Sequence, residues 1–169
     1  MDAKKINVIL DDFEKTNPEL YNHSERVAMI CYAFAKEINL SFTEREIAYF
    51  AGMLHDIEKY YLGDMDEDES EFCIEECPLY MNSEFSKIIP VVSNTKINLE
   101  DDLVEKYGYN VNVIRLILKL ANAYDELRMK GLTHEKSCEK LRQNYKQYNS
   151  MVTSLLKTII KNKLNYEYQ

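Results

Sequence analysis

Hydrophobic positions recur at helical spacing along most of the chain, and no stretch shows the alternation of apolar and polar residues that is typical of an amphipathic strand. The first apolar stripe covers residues 3–15 and predicts a helix there. A second stripe begins at Pro18, a residue that the first turn of a helix accepts, and continues to about Asn39. The N-terminal part of the chain is therefore predicted to form two consecutive helices.

A third helix is predicted from Glu44, because Thr43 and Glu46 have the spacing of a capping box. Its apolar residues lead directly into the string LHDIEK, which contains His55 and Asp56. This His-Asp pair is therefore expected at or near the end of a helix, where the chain can turn side chains toward a shared point.

The whole chain has only four glycines and three prolines, which favours long helices over many short strands. Segment 111–131 is apolar enough to lie at the centre of the core, with Gly131 as its C-terminal stop and Thr133 as the cap of the next helix. We therefore predict an all-α fold, a single-domain helical bundle over residues 1–165 with a short tail at 166–169. The helices predicted in its second part are 68–76, 82–93, 98–107, 111–131, 134–147 and 148–164.

Composition and charge exclude several classes of protein. Of the 169 residues, 46% are apolar, and the net charge is −8. A protein that grips nucleic acid would show a basic stripe, and none is visible, so no nucleic-acid partner is expected. No run approaches the roughly 20 apolar residues that cross a membrane, and no secretory signal is present. We therefore expect a cytoplasmic protein whose four cysteines are reduced thiols.

Two of the three histidines have surroundings that suit metal binding. His55 is followed directly by Asp56, and His23 lies upstream in the string NHSERVA. Adjacent imidazole and carboxylate ligands plus one distant imidazole suit a divalent ion with open coordination positions. This ligand set does not select strongly among metals, so the expected cofactor is one divalent ion of Mn, Fe, Ni, Zn or Mg.

The stretch HSERVAMICYAFAKEINLSFTEREIAYFAGMLHDIEK closely resembles the start of HD-superfamily phosphohydrolases, particularly those of the HD-GYP branch. There the pattern is His-Ser-x-Arg-Val-Ala, a helix, a turn, and then Leu-His-Asp-Ile-Gly-Lys. A second match, RLILKLANAYDELRMKGLTHEKSCEKLR, resembles the family's closing segment. The chain lacks the Gly-Tyr-Pro signature and the additional histidines that supply a second metal in that branch, so the resemblance is to a degenerate HD-GYP domain.

The resemblance implies that His23, His55 and Asp56 are metal ligands. The family's fourth ligand is the first aspartate of an Ala-Asp-x-x-Asp helix, and Asn122 occupies that position here, in LANAYDEL. An amide oxygen can bind a cation but brings no charge, so the site should hold metal more weakly. Asp125, three residues further on and close to the same helix face, is the alternative fourth ligand.

Asp56 and Lys59 are the residues expected to take part in catalysis. The family uses a lysine at the position of Lys59 to contact phosphate, and its charge would stabilise the phosphoryl oxygens. Glu58 replaces the family's glycine and is expected to face solvent. Arg26, one helical turn from His23, is expected to form a buried ion pair or to pack between helices.

Two functions of different classes follow. The first is an HD-type metal-dependent phosphohydrolase that acts on a small phosphorylated metabolite or nucleotide, as a phosphomonoester or phosphodiester, through a single divalent ion. The second is a catalytically degenerate HD domain that serves as a ligand-sensing or protein-interaction module. Neither predicts a membrane partner, and a homodimer is compatible with a helical domain of this size.

Overall fold

The computed structural model describes residues 3–57, 86–92 and 104–165, and these residues form helices and connecting turns with no strand. The predicted all-α fold is therefore confirmed. The described helices are α1 (Ala3–Thr16), α2 (Pro18–Glu37), α3 (Phe42–Leu54), α4 (Ile89–Val92), α5 (Val104–Tyr107), α6 (Val111–Met129), α7 (His134–Asn144), a 3-10 turn (Lys146–Tyr148) and α8 (Asn149–Lys161).

Helix α3 begins two residues earlier than predicted. Its N-cap is Ser41, whose hydroxyl accepts a hydrogen bond from the backbone N–H of Glu44, while the Glu44 carboxylate accepts one from the backbone N–H of Ser41. This reciprocal pair satisfies two donors that a helix start leaves without intrahelical partners. The capping box predicted at Thr43 and Glu46 is therefore wrong, because the overlapping box two residues earlier starts the helix.

Helices α2 and α6 form the centre of the bundle. Helix α2 packs against α1, α3, α6 and α8, and α6 also contacts α3, α4, α7 and α8. The prediction that segment 111–131 lies in the core is confirmed, since most of α6 is buried. Gly131 has a φ of 79° and ends α6 as predicted, and the Thr133 hydroxyl caps α7 by accepting from the N–H of Lys136.

The contact between α2 and α3 is unusually close. A Cβ atom built on Gly52 would lie 2.5 Å from Cα of Ala28 and 2.7 Å from its backbone nitrogen. Only glycine allows the two helix backbones to approach this closely. The absence of a side chain at Gly52 therefore determines how near the end of α3 lies to α2.

The predicted helix at 68–76 and the tail at 166–169 lie outside the described residues, whereas the ranges 82–93 and 98–107 are described in part. Segments α4 and α5 cover parts of the last two ranges. Among the helices that are described, none has the length and apolar character to cross a membrane.

Candidate metal site

Three ligand atoms converge where the end of α3 meets the first half of α2. Nε2 of His23 lies 3.3 Å from Nε2 of His55 and 3.5 Å from Oδ2 of Asp56, and His55 Nε2 lies 3.3 Å from the same carboxylate oxygen. His23 belongs to α2, His55 is the C-cap of α3, and Asp56 follows in the turn. The structure thus brings together the three residues that the sequence proposed as ligands.

Both imidazoles turn Nε2 toward this cluster and use Nδ1 in a hydrogen bond elsewhere. Nδ1 of His23 donates to Oδ2 of Asp125 at 2.8 Å, and Nδ1 of His55 donates to the carbonyl oxygen of Gly52 at 2.8 Å. A neutral imidazole carries one proton, so each Nε2 offers its lone pair. Two such lone pairs and a carboxylate oxygen form a ligand set that suits a cation.

The spacing of the three atoms fits a small divalent ion. An ion about 2.1 Å from each ligand atom would separate neighbouring ligands by about 3.4 Å in a tetrahedral arrangement and by about 3.0 Å in an octahedral one. The observed separations of 3.3, 3.5 and 3.3 Å lie within about 0.5 Å of both values, so the spacing accommodates an ion of either geometry. Imidazole nitrogens favour transition metals over Ca²⁺. The donor set therefore suits a divalent transition-metal ion that has coordination positions left for further ligands.

A second layer of residues holds His23 in place. Asp125 on α6 is 0% exposed, and besides the bond from His23 it accepts bonds from Nε of Arg26 to Oδ1 at 2.9 Å and from the terminal guanidinium nitrogen to Oδ2 at 3.0 Å. Arg26 therefore forms the ion pair expected from the sequence. Both oxygens of Asp125 serve this network, so in this structure Asp125 supports the ligand His23. Its alternative role as fourth ligand stays a prediction.

Asn122 lies one turn before Asp125 on α6 and has an unusual pair of environments. Its Nδ2 donates to Oε1 of Glu126 at 3.1 Å on the exposed side. Its Oδ1 is buried and accepts no hydrogen bond from the described residues. A buried acceptor left in this state costs about 1–3 kcal/mol. Such an oxygen is suited to a cation or a bound water, and the role of Asn122 as fourth ligand stays a prediction.

A cavity of about 380 Å³ borders the ligands, which is within the size range of small-molecule sites. It extends from His23 and Asp56 between the N-terminal turn of α2 and the C-terminal half of α6. The described residues that line it are Asn17, Glu19, Leu20, His23, Asp56, Glu126 and Met129. The other predicted catalytic residue, Lys59, and its neighbour Glu58 lie outside the described residues.

Sequence reasoning missed the walls of this cavity and the support of His55. Leu20 precedes His23 by three residues on α2, so helical spacing from the histidine could have identified it, and Asn17 is the N-cap residue one turn before Leu20. Glu126 could have been found in the same way from Asn122. No pattern in the sequence indicates that the carbonyl of Gly52 orients His55.

The fold and the ligand cluster agree with comparisons to known proteins. A family model described as "HD domain" matches residues 20–162, a range that includes His23, His55, Asp56, Asn122 and Asp125. No curated protein and no solved structure matches the chain significantly. Since the family model covers most of the chain, the protein belongs to the HD-domain family.

Proposed function

We propose that the protein is a phosphohydrolase that uses one divalent metal ion, held by His23, His55 and Asp56 with Asn122 as a neutral fourth ligand. The observation that carries this proposal is the convergence of two imidazole nitrogens and a carboxylate oxygen within 3.5 Å of one another. HD domains typically are metal-dependent phosphohydrolases, which supports the reaction class.

A single ion is proposed because the chain has only one further histidine, His134, and its partners are elsewhere. Nδ1 of His134 lies 2.8 Å from the Tyr124 hydroxyl, and its Nε2 lies 3.4 Å from Sγ of Cys138. This arrangement supports a mononuclear relative of the HD-GYP branch rather than a two-metal enzyme.

The residues of the chain have separate tasks in this mechanism. When bound, such an ion polarises a phosphoryl oxygen and lowers the pKa of a coordinated water. His23 and His55 supply neutral nitrogen ligands whose orientation is set by Asp125 and by the backbone. Asp56 supplies the negative charge of the ligand set, and we assign to Lys59 the contact with the phosphate.

The proposed substrate is a small phosphorylated metabolite or nucleotide. The cavity beside His23 and Asp56 has room for the organic part of such a molecule, and its lining combines apolar Leu20 and Met129 with polar side chains. Phosphomonoesters and phosphodiesters both remain substrates to be screened.

The experiment is elemental analysis of protein purified without chelator or nickel resin, followed by phosphoester screening with the metal found. We expect about one transition-metal ion per chain, and hydrolysis that His55→Ala abolishes. His134→Ala is the matched control, because it removes the histidine outside the ligand cluster. Metal without hydrolysis would favour the sensing module, and no metal after incubation with Mn, Fe, Zn or Ni would refute the metal site.

A further inference from the structure

The hydrogen bond between Asn122 and Glu126 has a direction that the chemistry of the two groups imposes. An ionised carboxylate accepts hydrogen bonds and donates none, so it can bond the nitrogen end of the Asn122 amide but not its oxygen end. Glu126 follows Asn122 by four residues on α6, and the observed contact joins Nδ2 to Oε1 at 3.1 Å. The carboxylate therefore distinguishes the two ends of the amide.

The opposite end of the amide is the one that lies in the interior. Oδ1 of Asn122 is buried and has no hydrogen-bond partner among the described residues, whereas Glu126 is exposed at the cavity that His23 and Asp56 also line. If the amide were reversed, its nitrogen would be buried in place of the oxygen. A cation repels that nitrogen and attracts the oxygen, so only the observed orientation can serve a metal.

We propose that Glu126 is a positioning residue that holds the Asn122 amide with its oxygen turned inward, as the neutral ligand of the metal site. This inference rests on the proposed function only as far as metal binding. An aspartate at position 122 would present an oxygen in either rotamer, so it would need no such partner. The chain has an asparagine there, and Glu126 supplies the orientation that the amide requires.

A loss of metal affinity on replacing Glu126 has two explanations, and the test must separate them. As a carboxylate near a cation, it would raise metal affinity through space, and this effect depends on charge alone. As a positioning group, it acts through the hydrogen bond to Nδ2. Glu126→Gln removes the charge but keeps an acceptor oxygen for that bond, whereas Glu126→Ala removes both.

The test is the affinity for Mn²⁺ and Zn²⁺ alone, measured by competition with a fluorescent chelator. Against wild type, we expect Glu126→Ala to weaken binding about tenfold or more and Glu126→Gln to weaken it by less than about threefold. In the Asn122→Asp background, Glu126→Ala should weaken binding by less than about threefold, because the ligand no longer needs orienting and only the through-space effect of the charge is lost.

Glu139→Ala is the matched control, since exposed Glu139 accepts a similar hydrogen bond, 3.3 Å long, from the amide nitrogen of Gln143 on α7. The inference is overturned if Glu126→Ala matches this control, if Glu126→Gln is as harmful as Glu126→Ala, or if the loss is equal in the Asn122→Asp background. The measurement needs no substrate. Glu126-dependent metal binding without hydrolysis would sustain the inference and refute the phosphohydrolase, and a wild type that binds no metal would refute both.

Discussion

Replacing Asp125 by asparagine tests whether the residues behind the ligands control the metal site. The buried carboxylate accepts bonds from His23 and Arg26 on Oδ2 and a further bond from Arg26 on Oδ1. Asparagine keeps the shape but removes the charge and replaces one acceptor oxygen with a donor nitrogen. Because each carboxylate oxygen meets at least one N–H, the new amide nitrogen faces a donor in either orientation.

Two losses should follow, and they can be measured separately. Removing one partner of a buried ion pair costs about 3–5 kcal/mol, and because the Arg26 side chain is 22% exposed and can regain some hydration, we expect about 3 kcal/mol. In addition, His23 loses the acceptor that holds its Nδ1–H. Changes of this kind behind a metal ligand weaken metal binding about 10- to 100-fold.

Urea unfolding in the presence of a chelator gives the first loss, and competition with a fluorescent chelator under native conditions gives the second. Glu37→Gln is the control, since it breaks the exposed Lys161–Glu37 pair, in which the side chains are 66% and 40% exposed. We expect that variant to lose less than about 1 kcal/mol and to bind metal normally. The reasoning would be refuted if the free energy of unfolding of Asp125→Asn lay within about 1 kcal/mol of wild type and its metal affinity were normal.

Two further predictions concern the core. Gly52→Ala should lower the free energy of unfolding by about 2 kcal/mol, because the clash of the new methyl group with the backbone of Ala28 outweighs a gain in helix propensity of about 1 kcal/mol. Metal affinity should also fall, because His55 moves away from the other ligands. A Gly52→Ala variant more stable than wild type would contradict this packing. Burial raises the pKa of Tyr109 and Tyr124 from 10.0 to about 12 in the folded protein. When the pH rises above 10, these two tyrosines therefore ionise in the unfolded chain before they ionise in the folded protein. Urea unfolding should show that the free energy of unfolding falls by up to about 2 kcal/mol per tyrosine between pH 10 and pH 12. The double Tyr→Phe variant should not show this loss.

Local patterns were sufficient to predict most helix boundaries but not the start of α3. The first helix and the stop at Gly131 agree with the structure, since apolar spacing and a glycine in the left-handed region are local properties. At α3, two overlapping capping boxes compete, and sequence spacing alone does not rank them. The Ser41 box is compatible with a tertiary contact, in which the N–H of Asn110 lies 3.5 Å from Oε1 of Glu44.

In the candidate site, too, local sequence patterns predict some features and not others. The three converging ligands were predicted because they occur in two short motifs, and each motif has a recognisable local pattern. The support of those ligands depends on contacts between distant segments: Arg26 and Asp125 are 99 residues apart, and Asp125 and His23 are 102 residues apart. The orientation of Asn122 also depends on structure, since a sequence does not distinguish the two ends of an amide.

The metal site connects three helices, and this links metal binding to folding. Its ligands come from α2 and from the end of α3, while α6 supplies Asp125 behind His23. The ligand atoms meet in one place only when these helices are packed together. An ion that binds only the folded state should therefore add about 2.7 kcal/mol to the free energy of unfolding at 100 times its dissociation constant. This stabilisation requires metal binding but no hydrolysis. A melting temperature that rises with metal in wild type, but not in His55→Ala, would thus establish a working metal site independently of whether the protein is an enzyme or a sensor.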